Sequence, residues 1–172
     1  MRTSAARLTD RSAPRFTRSI SVAATVLVAA ASAVGARGHD GSVACPRPAF
    51  AELKRAFADD MRSKSLEPVL SLYDPSATFF DDNLAIRDPT QLRRLFMQVF
   101  ARFDSNLRLE AGVVTATRRG TQPACTEVGR YTESLTDRAT GQVQHIRRGY
   151  RFVYAPDRGG RWRFATMDWR PR

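Results

Sequence analysis

The chain has 172 residues, 42% of them apolar, and carries 28 lysines and arginines against 17 aspartates and glutamates, a net charge of +11. That length suits a single domain, and the apolar share excludes a disordered chain. The charge favours anionic partners, but the arginines are spread out and no recognisable binding motif accompanies them, so nucleic acid is not an expected partner.

Residues 1–19 are rich in arginine and almost free of acids, and the uncharged run Ile20 to Ala36 follows, with small-residue exits at Ala31-Ser32-Ala33 and Val34-Gly35-Ala36. A basic region, an apolar region and a small-residue exit make a secretory signal, which predicts an exported protein, periplasmic or secreted. An uncleaved leader is the rival reading and the only expected route to a membrane. Five arginines and one aspartate precede the apolar run, so a cleaved chain would carry +7 rather than +11. The expected organisation is a signal peptide over 1–36, a polar tether over 37–47 and one folded domain over 48–172.

Export bears on Cys45 and Cys125, the two cysteines of the chain. In an oxidising compartment they are expected to form one structural disulfide. Neither has a Cys or His neighbour at ligand spacing, so no metal site is expected.

Along the folded part, a helix should begin near Pro48, with Phe50, Leu53, Phe57 and Met61 on one face. A second short helix is expected from Ser65, placing Leu66, Val69, Leu70 and Tyr73 together, and Asp74-Pro75 should end it. Ala77 to Asp81 then forms a short strand. Asp88-Pro89, a capping aspartate before a proline, starts a third helix with Leu92, Leu95, Phe96, Val99, Phe100 and Phe103 on its apolar side. The period then changes to two. Four long strands are expected at Leu107–Thr117, Ala124–Leu135, Gln142–Tyr154 and Arg161–Arg170, with hairpin loops at 136–141 and 156–160. Helices followed by a meander imply an α+β fold, three N-terminal helices packed on one face of a curved, mostly antiparallel sheet.

The order of elements, with Leu70-Ser71-Leu72-Tyr73-Asp74-Pro75-Ser76-Ala77-Thr78-Phe79-Phe80-Asp81 and the pair Tyr150-Arg151-Phe152-Val153-Tyr154 and Arg161-Trp162-Arg163-Phe164, resembles the nuclear-transport-factor-two-like superfamily in its SnoaL-like branch, which includes ketosteroid isomerase. The closing pair is similar to the last hairpin of SgcJ/EcaC-type members and of the calcium/calmodulin-dependent kinase association domain. The resemblance spans about Phe50 to Arg170. It implies that the strongly curved sheet forms a cone with one interior pocket. It says little about activity, because this scaffold hosts enzymes and noncatalytic binding domains alike.

Residue by residue, Asp81 falls where the isomerases hold their general base, and desolvation would suit it to that task. Phe57 stands where they hold an oxyanion-binding tyrosine and cannot donate a hydrogen bond. Arg148 stands where they hold a protonated acid, and its permanent charge suits an anion better than a neutral ketone. Ketosteroid isomerisation is therefore disfavoured. Where SgcJ/EcaC-type members carry histidines, this chain has Thr166-Met167-Asp168-Trp169, and His145 is expected on the outward face.

The expected ligand site is Phe57, Phe79, Asp81, Arg148, Tyr150, Phe152, Met167 and Trp169, with Asp81 and Arg148 converging inside the cone. Its occupant would be a small apolar or acidic organic molecule, with no cofactor. In a competing reading, Asp81 and Arg148 form a buried ion pair and the aromatics fill the interior. Three functions follow from these residues: a small-molecule-binding domain, a cofactor-independent lyase or isomerase using Asp81, or a noncatalytic homodimeric module joined through the outer sheet face.

Overall fold

The computed structural model describes residues 44–170; the expected signal peptide and residues 37–43 of the expected tether lie outside the described residues. Helix α1 (Arg47–Ser63) starts behind Pro46 with a proline in its first turn, where a missing amide costs little. It buries Phe50, Lys54, Phe57 and Met61, and it stops at Lys64, whose left-handed backbone returns its amide to the carbonyls of Asp60 and Met61. Helix α2 (Leu66–Ser71) is a short turn that buries Val69. Helix α3 (Pro89–Arg102) is capped by the Asp88 carboxylate, which accepts the Thr90 amide at 2.9 Å, and it buries Leu92, Phe96 and Phe100.

Seven strands make one sheet: β1 (Tyr73–Asp81), β2 (Leu84–Ile86), β3 (Phe103–Leu109), β4 (Val113–Arg119), β5 (Gln122–Asp137), β6 (Val143–Pro156) and β7 (Trp162–Asp168). Their order is β2-β1-β7-β6-β5-β3, with β4 also on β5, and β1 runs parallel to β7 while the other pairs are antiparallel. Among the described residues no helix is long and apolar enough to cross a membrane.

The three helices on a sheet are as expected, but the cone is not. The sheet is open and mixed, an unclosed path from β2 to the β3 and β4 pairings of β5, rather than a strongly curved wall around a pocket. The space under the helices is occupied by side chains: Phe57, Tyr73, Phe96, Phe152, Phe164 and Trp169 form a continuous set of ring contacts. Aromatic residues large enough to line a cavity are equally able to fill it, and here they fill it.

Three local differences matter for the site. Tyr73 begins β1 instead of closing α2. The expected strand Leu107–Thr117 is two strands, because the chain turns at 110–112, where a side chain on Gly112 would meet the Val128 carbonyl at 2.4 Å. The third is a bulge in β7: Val153 pairs with Thr166 and Tyr154 with Phe164, leaving Ala165 as an extra residue. The bulge lets Phe164 and Met167, three apart, both serve the core.

Candidate functional site

Alternation along β5 and β6 decides what faces the helices. Across the pair, Cys125 faces Tyr154, Glu127 faces Phe152, Gly129 faces Tyr150 and Tyr131 faces Arg148. Of the expected ligand-site residues, Phe57, Phe79, Tyr150, Phe152, Met167 and Trp169 are all buried. They touch one another: Tyr150 stacks on Phe152 at 4.2 Å, and Phe152 meets the Trp169 edge at 5.0 Å. They form a core cluster, and the polar chemistry lies at its two ends.

At one end sit Asp81, Asp82, Tyr131, Glu133 and Arg148. Asp81 and Arg148 are brought to the same region, but the expected Asp81–Arg148 pair is not formed. Arg148 Nη1 instead bonds both carboxylate oxygens of Asp82, at 3.0 and 3.1 Å, and its side chain is 45% exposed. Asp82 reaches it from the β1–β2 turn, where its own backbone has φ 38°. Asp81 keeps an exposed edge, yet partial burial and the adjacent Asp82 raise its pKa against the opposing pull of Arg148. Glu133, which the sequence reading did not select, behaves alike. Burial, with a contribution from Asp81, raises its pKa although the Ser105 hydroxyl donates to it at 2.6 Å. Tyr131, packed edge-on against Trp169 at 4.8 Å, is pushed up to about 12 by burial and by Glu133. Two carboxylates biased toward holding a proton and one phenol thus border the exposed end of an aromatic cluster.

At the other end is a buried network that sequence reasoning missed. Lys54 Nζ meets Glu127 Oε1 at 2.5 Å, the Tyr150 hydroxyl at 3.0 Å and the Glu110 carbonyl at 2.9 Å. Glu127 also accepts the Gly112 amide at 2.8 Å and the hydroxyls of Tyr150 and Tyr154 at 2.9 and 2.6 Å. Burial works against its charge, but the bonds from Lys54, Tyr154, Gly112 and Tyr150 outweigh it and hold the carboxylate below its ordinary range. Gly129 leaves room for this arrangement, since a Cβ there would lie 2.5 Å from the Tyr150 ring and hydroxyl. The available signal was Lys54 itself, which interrupts the stripe of Phe50, Phe57 and Met61 at its own spacing. Every donor and acceptor in this network is engaged, so it is a structural device.

The disulfide Cys45–Cys125 is formed, with Cα atoms 5.9 Å apart, within the usual range. Among the described residues no group of three His, Cys, Asp or Glu side chains could hold a metal ion. A groove of about 1110 Å³ runs outside the core between Tyr73–Ala77, the start of α3 and the β6–β7 hairpin. Its arginines are largely answered: Arg119 by Asp74, Arg161 and Arg163 by Asp157, and Arg93 by Glu67. Asp157, held by the Arg161 amide and the Arg163 guanidinium, falls to about 2.

No family model matches the chain, and no curated protein matches it. Solved structures do. A putative calcium/calmodulin-dependent protein kinase II association domain from Xanthomonas campestris aligns with TM-score 0.60 and 19% identity, over 74% of this chain and 91% of that one. A nuclear transport factor 2-like superfamily protein from Salmonella enterica aligns with TM-score 0.62 and 16% identity, over 73% and 91%. A ketosteroid isomerase-like protein from Erwinia carotovora atroseptica aligns with TM-score 0.57 and 14% identity, over 70% and 92%. At such identities the likeness concerns architecture alone, and on that ground the described domain has the nuclear-transport-factor-two-like fold.

Proposed function

We propose that this chain is an exported domain that binds a small, uncharged and mainly apolar organic molecule at the Asp81–Glu133 end of the inner sheet face. The observation that carries this reading is the Tyr131 phenol packed on Trp169 at the exposed end of the aromatic cluster, beside Asp81 and Glu133, both with raised pKa. The Tyr131 phenol donates a hydrogen bond to a ligand oxygen, and the Trp169 indole edge supplies apolar contact. The acidic-ligand alternative loses support because Arg148 is already engaged by Asp82 and three carboxylates share its neighbourhood. Export rests on the basic-apolar-small pattern of residues 1–36. The wording of Tyr150–Tyr154 and Arg161–Phe164 favours the SnoaL-like, SgcJ/EcaC-type branch of the fold. A homodimer through the outer sheet face is a weaker reading, since that face is crowded with arginines.

A neutral aromatic ketone, acetophenone, tests the site. In a Trp162→Phe background, where Trp169 is the remaining indole, it should quench fluorescence saturably. Tyr131→Phe should weaken binding about tenfold, the worth of one hydrogen bond. Unsaturable quenching, or saturation untouched by that change, would overturn the proposal.

The raised pKa of Asp81 favours one further reading, general-base catalysis. An ionised Asp81 would take a proton from the ketone methyl group, leaving an enolate whose oxygen accepts a hydrogen bond, and return a solvent deuteron to carbon. Deuterium incorporation that disappears in Asp81→Asn supports catalysis; incorporation at the same rate in that variant refutes it.

A further inference from the structure

The face of β3, β5 and β6 turned away from the helices carries a different chemistry. Pairing register places Arg108, Thr132 and Arg147 in one row across the three strands, and Asn106, Ser134 and His145 in the next. These six residues line a depression of about 460 Å³, completed by Glu133 and Ile146, which alternate onto the opposite face. Arg130 lies on β5 two residues from Thr132 and on the same side. Among the described residues, no hydrogen bond or ion pair engages the side chains of Arg108, Arg130 or Arg147. Two carboxylates of this face are answered elsewhere, Asp104 by Lys64 and Asp168 by Arg151 and Arg170, while Glu110 follows β3 beside Arg130, its amide donating to the Arg130 carbonyl. Three exposed guanidiniums therefore share this face, where like charges repel one another.

We infer that this depression binds a tetrahedral oxyanion, phosphate or sulfate, between Arg108 and Arg147. The two arginines sit two strands apart, with backbones about 10 Å from each other, too far to crowd and close enough for long side chains to converge. A guanidinium fork matches one edge of an oxyanion, and a tetrahedral ion offers a separate edge to each of two opposed forks. Thr132 stands between the forks with a hydroxyl donor. Behind it, the Ser134 hydroxyl and His145 Nδ1 are 2.9 Å apart, and Asn106 adds an amide. An anion there relieves the repulsion among Arg108, Arg130 and Arg147, a gain that a neutral ligand cannot supply. Apart from Glu133 and Ile146, the site shares no residue with the inner face.

Calorimetric titration of the folded domain at low ionic strength tests this with inorganic phosphate, phenyl phosphate and phosphatidic acid vesicles as separate arms. Saturable binding of inorganic phosphate alone points to a free anion, binding of phenyl phosphate as well points to an ester, and vesicle binding beyond both points to a lipid headgroup. Each supports the oxyanion site, provided that Arg108→Gln and Arg147→Gln weaken binding about tenfold each. Arg147→Lys should lose less, keeping charge without the fork, and raising salt should weaken all arms. Arg55→Gln, an exposed arginine of α1, should change nothing. Absence of saturation in every arm, an equal loss in Arg55→Gln, or a phosphate-independent dimer that shields Arg147 would each overturn the inference.

Discussion

Lys54 occupies the one inward position of α1 where an apolar residue would continue the stripe. Its side chain is 8% exposed and that of its partner Glu127 3%. Such a pair need not exceed an apolar replacement in stability, but breaking it strands a charge. Lys54→Met should therefore cost about 3–5 kcal/mol in a urea titration, and Lys54→Met with Glu127→Gln should recover a large part of that loss. Strict additivity of the two single changes would show that the pair is not coupled. Lys54 was legible as an interruption, but its partner was not, because Glu127 is 73 residues away and enters through the register of β5. Asp81 makes the converse case. The resemblance gave its place at the end of β1, while its neighbour Asp82, one residue on and across a turn, took the arginine that alternation brought near.

Among the elements, α3 is the most legible, since Asp88-Pro89 marks its start and a wide apolar stripe marks its buried side. The break between β3 and β4 and the bulge at Ala165 were hidden, because a period of two continues on either side of each. Both irregularities depend on partner strands rather than on local preference. The disulfide joins two elements whose relation no local pattern contains: the residue before α1 and the early part of β5. Cys45→Ser with Cys125→Ser should lower stability by about 4 kcal/mol, given the 80-residue separation. Equal urea midpoints for the two proteins would remove the staple from any account of stability.

Across the whole molecule, whether inward aromatics enclose space or fill it was not legible, because that depends on how rings from α1, α3, β1, β6 and β7 interlock, not on which way each points. The same packing gives the acids opposite senses. Glu127, Asp157 and Asp168 have lowered pKa values, so their contribution is present above the unfolded values and is lost as pH falls through the folded ones. Glu133 has a raised value, so the protonated form is favoured by folding. Its contribution is complete below the ordinary 4.5 and is lost as pH rises through the folded pKa. Glu133→Gln, which keeps an acceptor for Ser105, should thus raise the melting temperature at pH 7 and lose that advantage below the ordinary glutamate pKa. Thermal unfolding at both pH values checks the sign, and a lower melting temperature at pH 7 would contradict it.

The covalent link between Cys45 and Cys125 also fixes how the domain answers a pull. A force applied through the chain at Ala44 reaches Cys125 on β5 through the sulfur bridge, one residue in, and bypasses the backbone of α1, β1 and α3. Helix α1 cannot be peeled from the sheet by its leading end, and the 80 residues of sequence separation stay out of the extension while the bridge is intact. Reduction would release them, adding roughly 3.3–3.6 Å of reach per residue. The strand gripped in this way is the one that carries Glu127, Tyr131 and Glu133, so tension at that end would be felt first where the polar groups of the inner face are held.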